Sequence, residues 1–211
     1  MVIRDFPIDT NDPMNGLITY LTLNKLLNDS VSINASSTYT PDTYRATVDT
    51  LLTRNVNKYF QFGNNAKGEY FEVHLLKGTF ITLTGYGFMA TTKNWYKPRN
   101  WNVSCMSTNP PTLLGNEVNN DSLCQGYERD LCPTNDKKAF DCTKLIKCSD
   151  IRITTTGHVS GSTSYYRFAL AGIELFGYYN SYPTSKVSFI KNVMIGYISL
   201  ISYLFTTVVL S

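Results

Sequence analysis

Residues 150–177 read DIRITTTGHVSGSTSYYRFALAGIELFG, and this stretch decides the fold. Ile151 and Ile153 alternate with polar residues, which is the pattern of a strand with one buried face. A loop rich in Gly, Ser and Thr follows at 157–164, and a second apolar run occupies 168–176. We therefore predict two strands joined by a polar loop, a pattern that defines an architecture rather than a reaction.

The composition of the whole chain indicates the same all-β class. Val, Ile, Thr, Tyr and Phe are plentiful and occur in short runs. Gly, Asn, Ser and Pro separate these runs at intervals of roughly 8 to 12 residues, the spacing expected of sandwiches and barrels. A domain of about 150 residues buries roughly 70% of its unfolded surface, which is enough for a core without a metal.

Several segments resemble the coagulation factor 5/8 type C family, also called discoidin or galactose-binding-like domains. They occur in the family's order: 32–39 as the first strand, KGEYFEVHL at 67–75, a central hairpin at 80–89 and 98–103, and a closing hairpin at 150–177. The resemblance implies a jelly-roll β-sandwich that binds ligands, with Trp101 packed between the two sheets. Residues 49–59 lack the Asp-Gly and Thr-x-Trp of the family's early loop, which argues against the calcium site of some relatives.

We predict a domain at 31–178, preceded by an N-terminal extension at 1–30. Within the extension, residues 15–28 place Leu17, Leu21 and Leu27 near helical spacing, which predicts a short helix packed on the sandwich. After the domain, a linker is expected at 179–191.

The segment at 192–210 has 19 residues and no charge. As a helix it would extend roughly 28 Å, close to the hydrocarbon core of a bilayer, which predicts a single-pass transmembrane helix. Lys186 and Lys191 precede it, and the positive-inside rule would leave the domain on the cytosolic side. Two alternatives stay open: a buried final helix or strand, and a glycolipid anchor signal. The first 16 residues do not resemble a secretory signal peptide.

The chain has five cysteines, an odd number that cannot close entirely into internal disulfides. Cys105 and Cys142 each lie two residues along a predicted strand from an apolar residue that is expected to be buried. Both cysteines are therefore expected to face inward. In an oxidising compartment, Cys124 could pair with Cys132, and Cys142 with Cys148. The cysteine spacings and the presence of only two histidines argue against zinc, so we predict no metal and no cofactor.

The sequence shows no catalytic constellation, and we predict a protein that is not an enzyme. Glu72 and His74 fall on the solvent side of one predicted strand, where a surface pair is the simplest interpretation. His158 opens a polar loop, and the segment at 157–161 is not a nucleophile elbow. A net charge of +3 is too small to indicate nucleic acid as a partner.

Binding is instead expected from three loops at the ends of the sandwich, at 37–47, 91–100 and 158–167. The candidates are Tyr39, Tyr44 and Arg45 in the first loop, Trp95, Tyr96, Lys97 and Arg99 in the second, and His158, Tyr165, Tyr166 and Arg167 in the third. Aromatic faces beside cationic groups suit a carbohydrate, a phospholipid headgroup or a protein. In the alternative, Trp95 and Tyr96 cap one end of the sandwich, and the sequence does not decide whether the loops meet.

Two functions follow from these features. The first is a membrane-anchored recognition domain that binds its ligand through the loops. The alternative is a soluble cytosolic protein-interaction or scaffold domain of the same fold.

Overall fold

The structure is a computed structural model, and it describes residues 2–55, 57–91, 96–120, 122–123, 136–160 and 162–181. The strands are β1 (Val2–Phe6), β2 (Val31–Ala35), β3 (Phe60–Gln61), β4 (Tyr70–Leu75), β5 (Phe80–Met89), β6 (Trp101–Cys105), β7 (Thr112–Glu117), β8 (Lys137–Asp141), β9 (Lys147–Cys148), β10 (Asp150–Thr155), β11 (Ala169–Leu170) and β12 (Gly172–Ser181). The helices are α1 (Leu17–Leu23), α2 (Leu27–Ser30) and α3 (Thr50–Thr53).

The strands form two five-stranded sheets and one two-stranded sheet. The first sheet has the order β1-β12-β5-β8, with β9 also paired to β5. The second sheet has the order β2-β4-β10-β6-β7, and β3 pairs with β11 in the small sheet. The predicted all-β sandwich is confirmed.

The core lies between the two large sheets, where the alternating side chains of their strands meet. Ile151 and Ile153 in β10 are buried, and so are Phe71 and Val73 in β4. Trp101 is 0% exposed, as expected. Its Nε1 donates a hydrogen bond to the Tyr86 hydroxyl at 2.9 Å, which satisfies a polar group deep in the core. Rings of Phe88 and Phe140 surround the indole, with centroids at 5.4 and 5.2 Å.

Both predicted hairpins are wrong. β10 pairs with β4 and β6 in the second sheet, whereas β12 pairs with β5 in the first. In the same way, β5 belongs to the first sheet and β6 to the second. Periodicity fixes which face of a strand is buried but not which strand lies beside it, and the loops after β5 and β10 are long enough to cross between sheets.

The last strand runs past Gly177, where the apolar run was expected to end. A β-bulge lies between Phe176 and Gly177, and Gly177 has φ of 134°. A Cβ at Gly177 would lie 2.1 Å from the Thr82 carbonyl oxygen, so the position requires glycine. β12 then continues to Ser181, into the segment predicted as linker.

The N-terminal residues belong to the sandwich, because β1 is an outer strand of the first sheet. The predicted helix forms as α1 and α2, with Leu17 and Leu21 buried. The first turn of α1 is capped from a distant strand: Glu174 in β12 accepts hydrogen bonds from the backbone N–H groups of Ile18 (2.6 Å) and Thr19 (3.2 Å). Glu174 is 0% exposed.

The half-buried guanidinium of Arg54 balances that charge. Nη2 of Arg54 lies 2.5 Å from Oε2 of Glu174, and Nη1 of Arg54 donates to the Met14 carbonyl oxygen at 2.8 Å. Burying a carboxylate is costly unless it is paired and hydrogen-bonded, and Glu174 is both.

A disulfide joins Cys105 in β6 to Cys148 in β9 and so connects the two large sheets. The alternative in which Cys142 pairs with Cys148 is therefore wrong, because Cys148 is bonded to Cys105. Cys142 is a half-buried free thiol packed against the core, and burial raises its pKa to about 12. Cys124 and Cys132 lie outside the described residues.

The predicted transmembrane segment at 192–210 also lies outside the described residues. Within the part of the chain that the structure describes, no helix has the length and apolar character needed to cross a membrane.

Candidate functional site

The small sheet of β3 and β11 brings the three predicted loops to one end of the sandwich. The backbone N–H of Tyr39 donates to the carbonyl oxygen of Gln61 in β3 at 2.9 Å. Ala169 in β11 likewise donates to the Tyr96 carbonyl oxygen at 2.7 Å. Beneath this sheet, the Phe62 and Phe168 rings pack edge to face with centroids 5.0 Å apart. The loops therefore lie next to buried aromatic side chains of the core.

Direct hydrogen bonds join the second loop to the third. Ser160 N–H donates to the Lys97 carbonyl oxygen at 3.1 Å. The Asn100 side chain uses Nδ2 to donate to the His158 carbonyl oxygen at 2.8 Å. These bonds fix the start of the third loop against the end of the second.

Two guanidinium groups approach the ring of Tyr39, one from its own loop and one from the third. The Arg45 guanidinium carbon lies 4.0 Å from the Tyr39 ring centroid, and that of Arg167 lies 5.3 Å from it. Asp42 holds Arg45 in place, with the Arg45 Nε 2.7 Å from Oδ2 of Asp42. The Arg45 side chain and the backbone N–H groups of Arg45 and Tyr44 lower the pKa of Asp42 to about 2.

Aromatic side chains line the rest of this end. Tyr96 and Tyr165 have ring centroids 5.1 Å apart, and Tyr165 is 37% exposed. His158 and Tyr166 are closer, at 4.4 Å. Aromatic rings from the second and third loops thus lie against each other at this end.

Asn65 is a residue of this end that sequence reasoning missed. Its Oδ1 accepts a hydrogen bond from the Tyr166 backbone N–H at 2.8 Å, and its Nδ2 donates to the Ser164 carbonyl oxygen at 3.1 Å. The side chain therefore holds the third loop in shape. The Gly-Asn-Asn run at 63–65 was a turn signal that pointed to such a role.

Arg167 has a buried donor whose partner is not a described residue. Its Nε is shielded from solvent, and no residue in the described ranges accepts a hydrogen bond from it. Buried donors in proteins are nearly always hydrogen-bonded, so the Arg167 Nε is an unusual donor at this end of the sandwich.

The other predicted site residues differ in how accessible they are. Lys97 is 5% exposed, its Nζ donates to the Thr91 carbonyl oxygen at 2.7 Å, and burial lowers its pKa to about 8. Tyr44 is 47% exposed, while Arg99 is half-buried, with its carbonyl oxygen bonded to the Asn120 N–H. Trp95 lies outside the described residues.

No protein-family model matches the chain, and no curated protein sequence matches it. Several solved structures, in contrast, are similar to the chain. A family 32 carbohydrate-binding module from Clostridium perfringens NanJ, in complex with galactose, is 15% identical, with a TM-score of 0.50 over 71% of this chain and 93% of that chain. The module CpGH89CBM32-5 from the same organism, in complex with GalNAc-β-1,3-galactose, is 12% identical, with a TM-score of 0.50 over 70% and 95%.

A third similar structure is CBM32-3 from a family 31 glycoside hydrolase of Clostridium perfringens, which is 9% identical, with a TM-score of 0.52 over 71% of this chain and 92% of that chain. At such identities the similarity shows the fold. The chain has the galactose-binding-like fold that these modules share with discoidin domains, which confirms the resemblance found in the sequence.

Proposed function

We propose that this chain is a non-catalytic recognition domain that binds a carbohydrate containing galactose or N-acetylgalactosamine at the end formed by the three loops. The observation that carries the proposal is the convergence there of aromatic rings and guanidinium groups from separate loops. The Arg167 guanidinium lies near the Tyr39 ring, and its Nε is a buried donor whose partner is not a described residue.

This arrangement matches the chemistry of a sugar. A pyranose has an apolar C–H face that can stack on an aromatic ring, and hydroxyl groups that accept hydrogen bonds at its edge. Tyr165 and Tyr166 supply ring surface, while Arg167 supplies a planar set of donors. Two structures of the same fold, the NanJ module and CpGH89CBM32-5, hold galactose and GalNAc-β-1,3-galactose, which supports this ligand class.

Replacing Arg167 by alanine tests the site. Loss of hydrogen bonds from a charged donor costs about 1.5–3 kcal/mol, so we expect affinity for galactose to fall by roughly 10- to 100-fold. Isothermal titration of the full-length chain with galactose and with N-acetylgalactosamine measures the change, and a glycan array beforehand identifies the sugars bound.

Arg4→Ala is the matched control. The Arg4 guanidinium also lies over a tyrosine ring, 4.6 Å from the centroid of Tyr20, but Arg4 belongs to β1 and to none of the three loops. This variant should bind sugar as the unmodified chain does. Retention of full affinity by Arg167→Ala, or no sugar retained on the array, would count against the proposal.

We also propose that 192–210 anchors this domain to a membrane, with the domain on the side away from the cytosol. The uncharged 19-residue segment supports the anchor, and the Cys105–Cys148 disulfide supports an oxidising compartment. Lys186 and Lys191 favour the opposite orientation, but two flanking lysines are a weaker determinant than a covalent bond that the cytosol would keep reduced.

Carbonate extraction of membranes tests the anchor. The full-length chain should remain in the membrane pellet, whereas a chain ending at Ser185 should be extracted, because it lacks the apolar segment. Protease added to sealed vesicles should spare the domain until detergent is present. Digestion without detergent would place the domain in the cytosol, and extraction of both chains would favour the soluble scaffold alternative.

A further inference from the structure

The outer face of the second sheet carries a cluster of three residues that sequence analysis interpreted in part as a surface pair. Glu72 and His74 lie on β4, and Asp150 lies directly opposite His74 on the neighbouring strand β10. Residues on the same face of paired strands have side chains within contact distance. The register between β4 and β10 therefore adds a second carboxylate to the pair.

Side-chain nitrogen and oxygen atoms of the three residues converge. Nδ1 of His74 lies 2.8 Å from Oδ1 of Asp150 and 3.7 Å from Oε1 of Glu72. One ligand atom from each of the three residues falls within 4.8 Å of the others. This spacing allows one small cation to contact all three atoms after minor side-chain rotation.

A neighbouring residue holds the remaining polar atom of each side chain. Oε2 of Glu72 accepts a hydrogen bond from Nε of Arg152 at 2.5 Å, and Oδ2 of Asp150 accepts one from the Ser149 hydroxyl at 2.6 Å. Nε2 of His74 lies 3.0 Å from the side-chain amide of Asn34. In metal sites, such outer contacts orient the ligands and fix the histidine tautomer.

The Asn34 amide can form a hydrogen bond with Nε2 of His74 both without and with a metal on Nδ1. With Nδ1 protonated, Nε2 accepts a hydrogen bond from the amide nitrogen of Asn34, which lies 3.0 Å away. With Nδ1 bound to a metal, Nε2 carries the proton and the amide rotates by 180° to accept it with Oδ1. The two amide orientations have nearly the same shape, so the exchange requires no movement of the backbone.

We propose that Glu72, His74 and Asp150 form a site for a divalent transition-metal ion, best fitted by Zn²⁺, bound through Oε1, Nδ1 and Oδ1. Imidazole nitrogen with carboxylate oxygen is a donor set that Zn²⁺ accepts, whereas Ca²⁺ prefers six to eight oxygen ligands. The side chains of His74 and Asp150 are 26% and 33% exposed, so solvent can reach the ion and complete its coordination. This site is separate from the proposed sugar-binding loops and does not depend on them.

Titration of the chelator-treated full-length chain with Zn²⁺ tests the site. The chain is produced in a bacterial host and purified in mild detergent, and binding is measured by isothermal titration calorimetry. We expect one Zn²⁺ per chain, and we expect Zn²⁺ to raise the unfolding temperature. His74→Ala should abolish both effects, because the only nitrogen ligand is lost.

Asn34→Ala provides a second and more discriminating variant. It leaves all three ligands in place and removes only the contact to Nε2, so affinity should fall by roughly 10- to 100-fold, as expected for loss of an outer contact. Asp141→Asn removes an exposed carboxylate on β8 and should leave Zn²⁺ affinity unchanged. Far-ultraviolet circular dichroism of each variant shows whether it has folded.

Substitution of Co²⁺ for Zn²⁺ distinguishes this site from a cysteine site. A visible spectrum without thiolate-to-cobalt charge transfer is expected, since all three ligands supply nitrogen or oxygen. A thiolate band would overturn the proposal, because the metal would then be bound by a cysteine. It would equally be overturned by absence of Zn²⁺ binding, or by folded His74→Ala protein that binds Zn²⁺ as tightly as the unmodified chain.

Discussion

Replacement of Trp101 by alanine is expected to lower the free energy of unfolding by about 3–5 kcal/mol. The indole is fully buried among the rings of Phe88 and Phe140, so its removal leaves a cavity between the sheets. The variant also deprives the Tyr86 hydroxyl of its donor within the core. Urea denaturation followed by circular dichroism measures the change in the transition midpoint and in the free energy.

Tyr86→Phe separates the hydrogen bond from the packing. It keeps the ring but leaves the buried indole N–H without its acceptor, which costs about 1–3 kcal/mol. The Trp101→Ala variant should therefore be clearly less stable than Tyr86→Phe. Equal stability of the two variants would mean that the indole contributes little packing, contrary to its position between the sheets.

Arg54→Ala is expected to lower the free energy of unfolding by a similar amount, about 3–5 kcal/mol, because it leaves the buried carboxylate of Glu174 without its cation. Glu174 is fully buried, and it also caps α1 through the N–H groups of Ile18 and Thr19. The loss should therefore reach the N-terminal helix as well as β12. The same urea titration measures it.

Arg45→Ala is the matched control, because the Arg45–Asp42 pair is partly exposed, at 27% and 38%. Its loss should therefore change the free energy of unfolding far less than the loss of Arg54 does, because an exposed pair is screened by solvent. A double-mutant cycle with Arg54→Ala and Glu174→Gln adds a second test. The double variant should lose less stability than the two single variants summed, since neutral glutamine needs no cation; simple additivity would contradict a coupled pair.

Much of the sandwich was predictable because strand burial has a period of two residues. That period assigned the buried faces of β4 and β10, whereas the family resemblance placed Trp101 in the core. It carries no information about strand partners, so both expected hairpins were wrong. The contacts of Glu174 were likewise hidden, although a single carboxylate within an apolar run was a signal of a buried ion pair.

The candidate site was predictable as a set of loops but not as an arrangement. Turn residues and aromatic clusters marked the three loops, whereas their meeting depends on the pairing of β3 with β11, two strands of only two residues each. Lys97 was likewise predictable as a loop residue, whereas the position of its side chain was not. A long side chain with an apolar stem can extend into solvent or pack in the interior, and that of Lys97 is buried. The cluster of Glu72, His74 and Asp150 likewise depends on the register between β4 and β10.

The pairing of β1 with β12 has a consequence for the order in which a ribosome can complete this domain. Strand β1 and helix α1 are synthesised first, yet both depend on β12. The strand that pairs with β1 is β12, and the carboxylate that caps α1 belongs to Glu174 in β12. During synthesis, β1 and the start of α1 therefore cannot make these contacts until β12 has left the ribosomal exit tunnel. Until then β5 presents an unpaired ten-residue edge, the kind of surface that chaperones protect from aggregation.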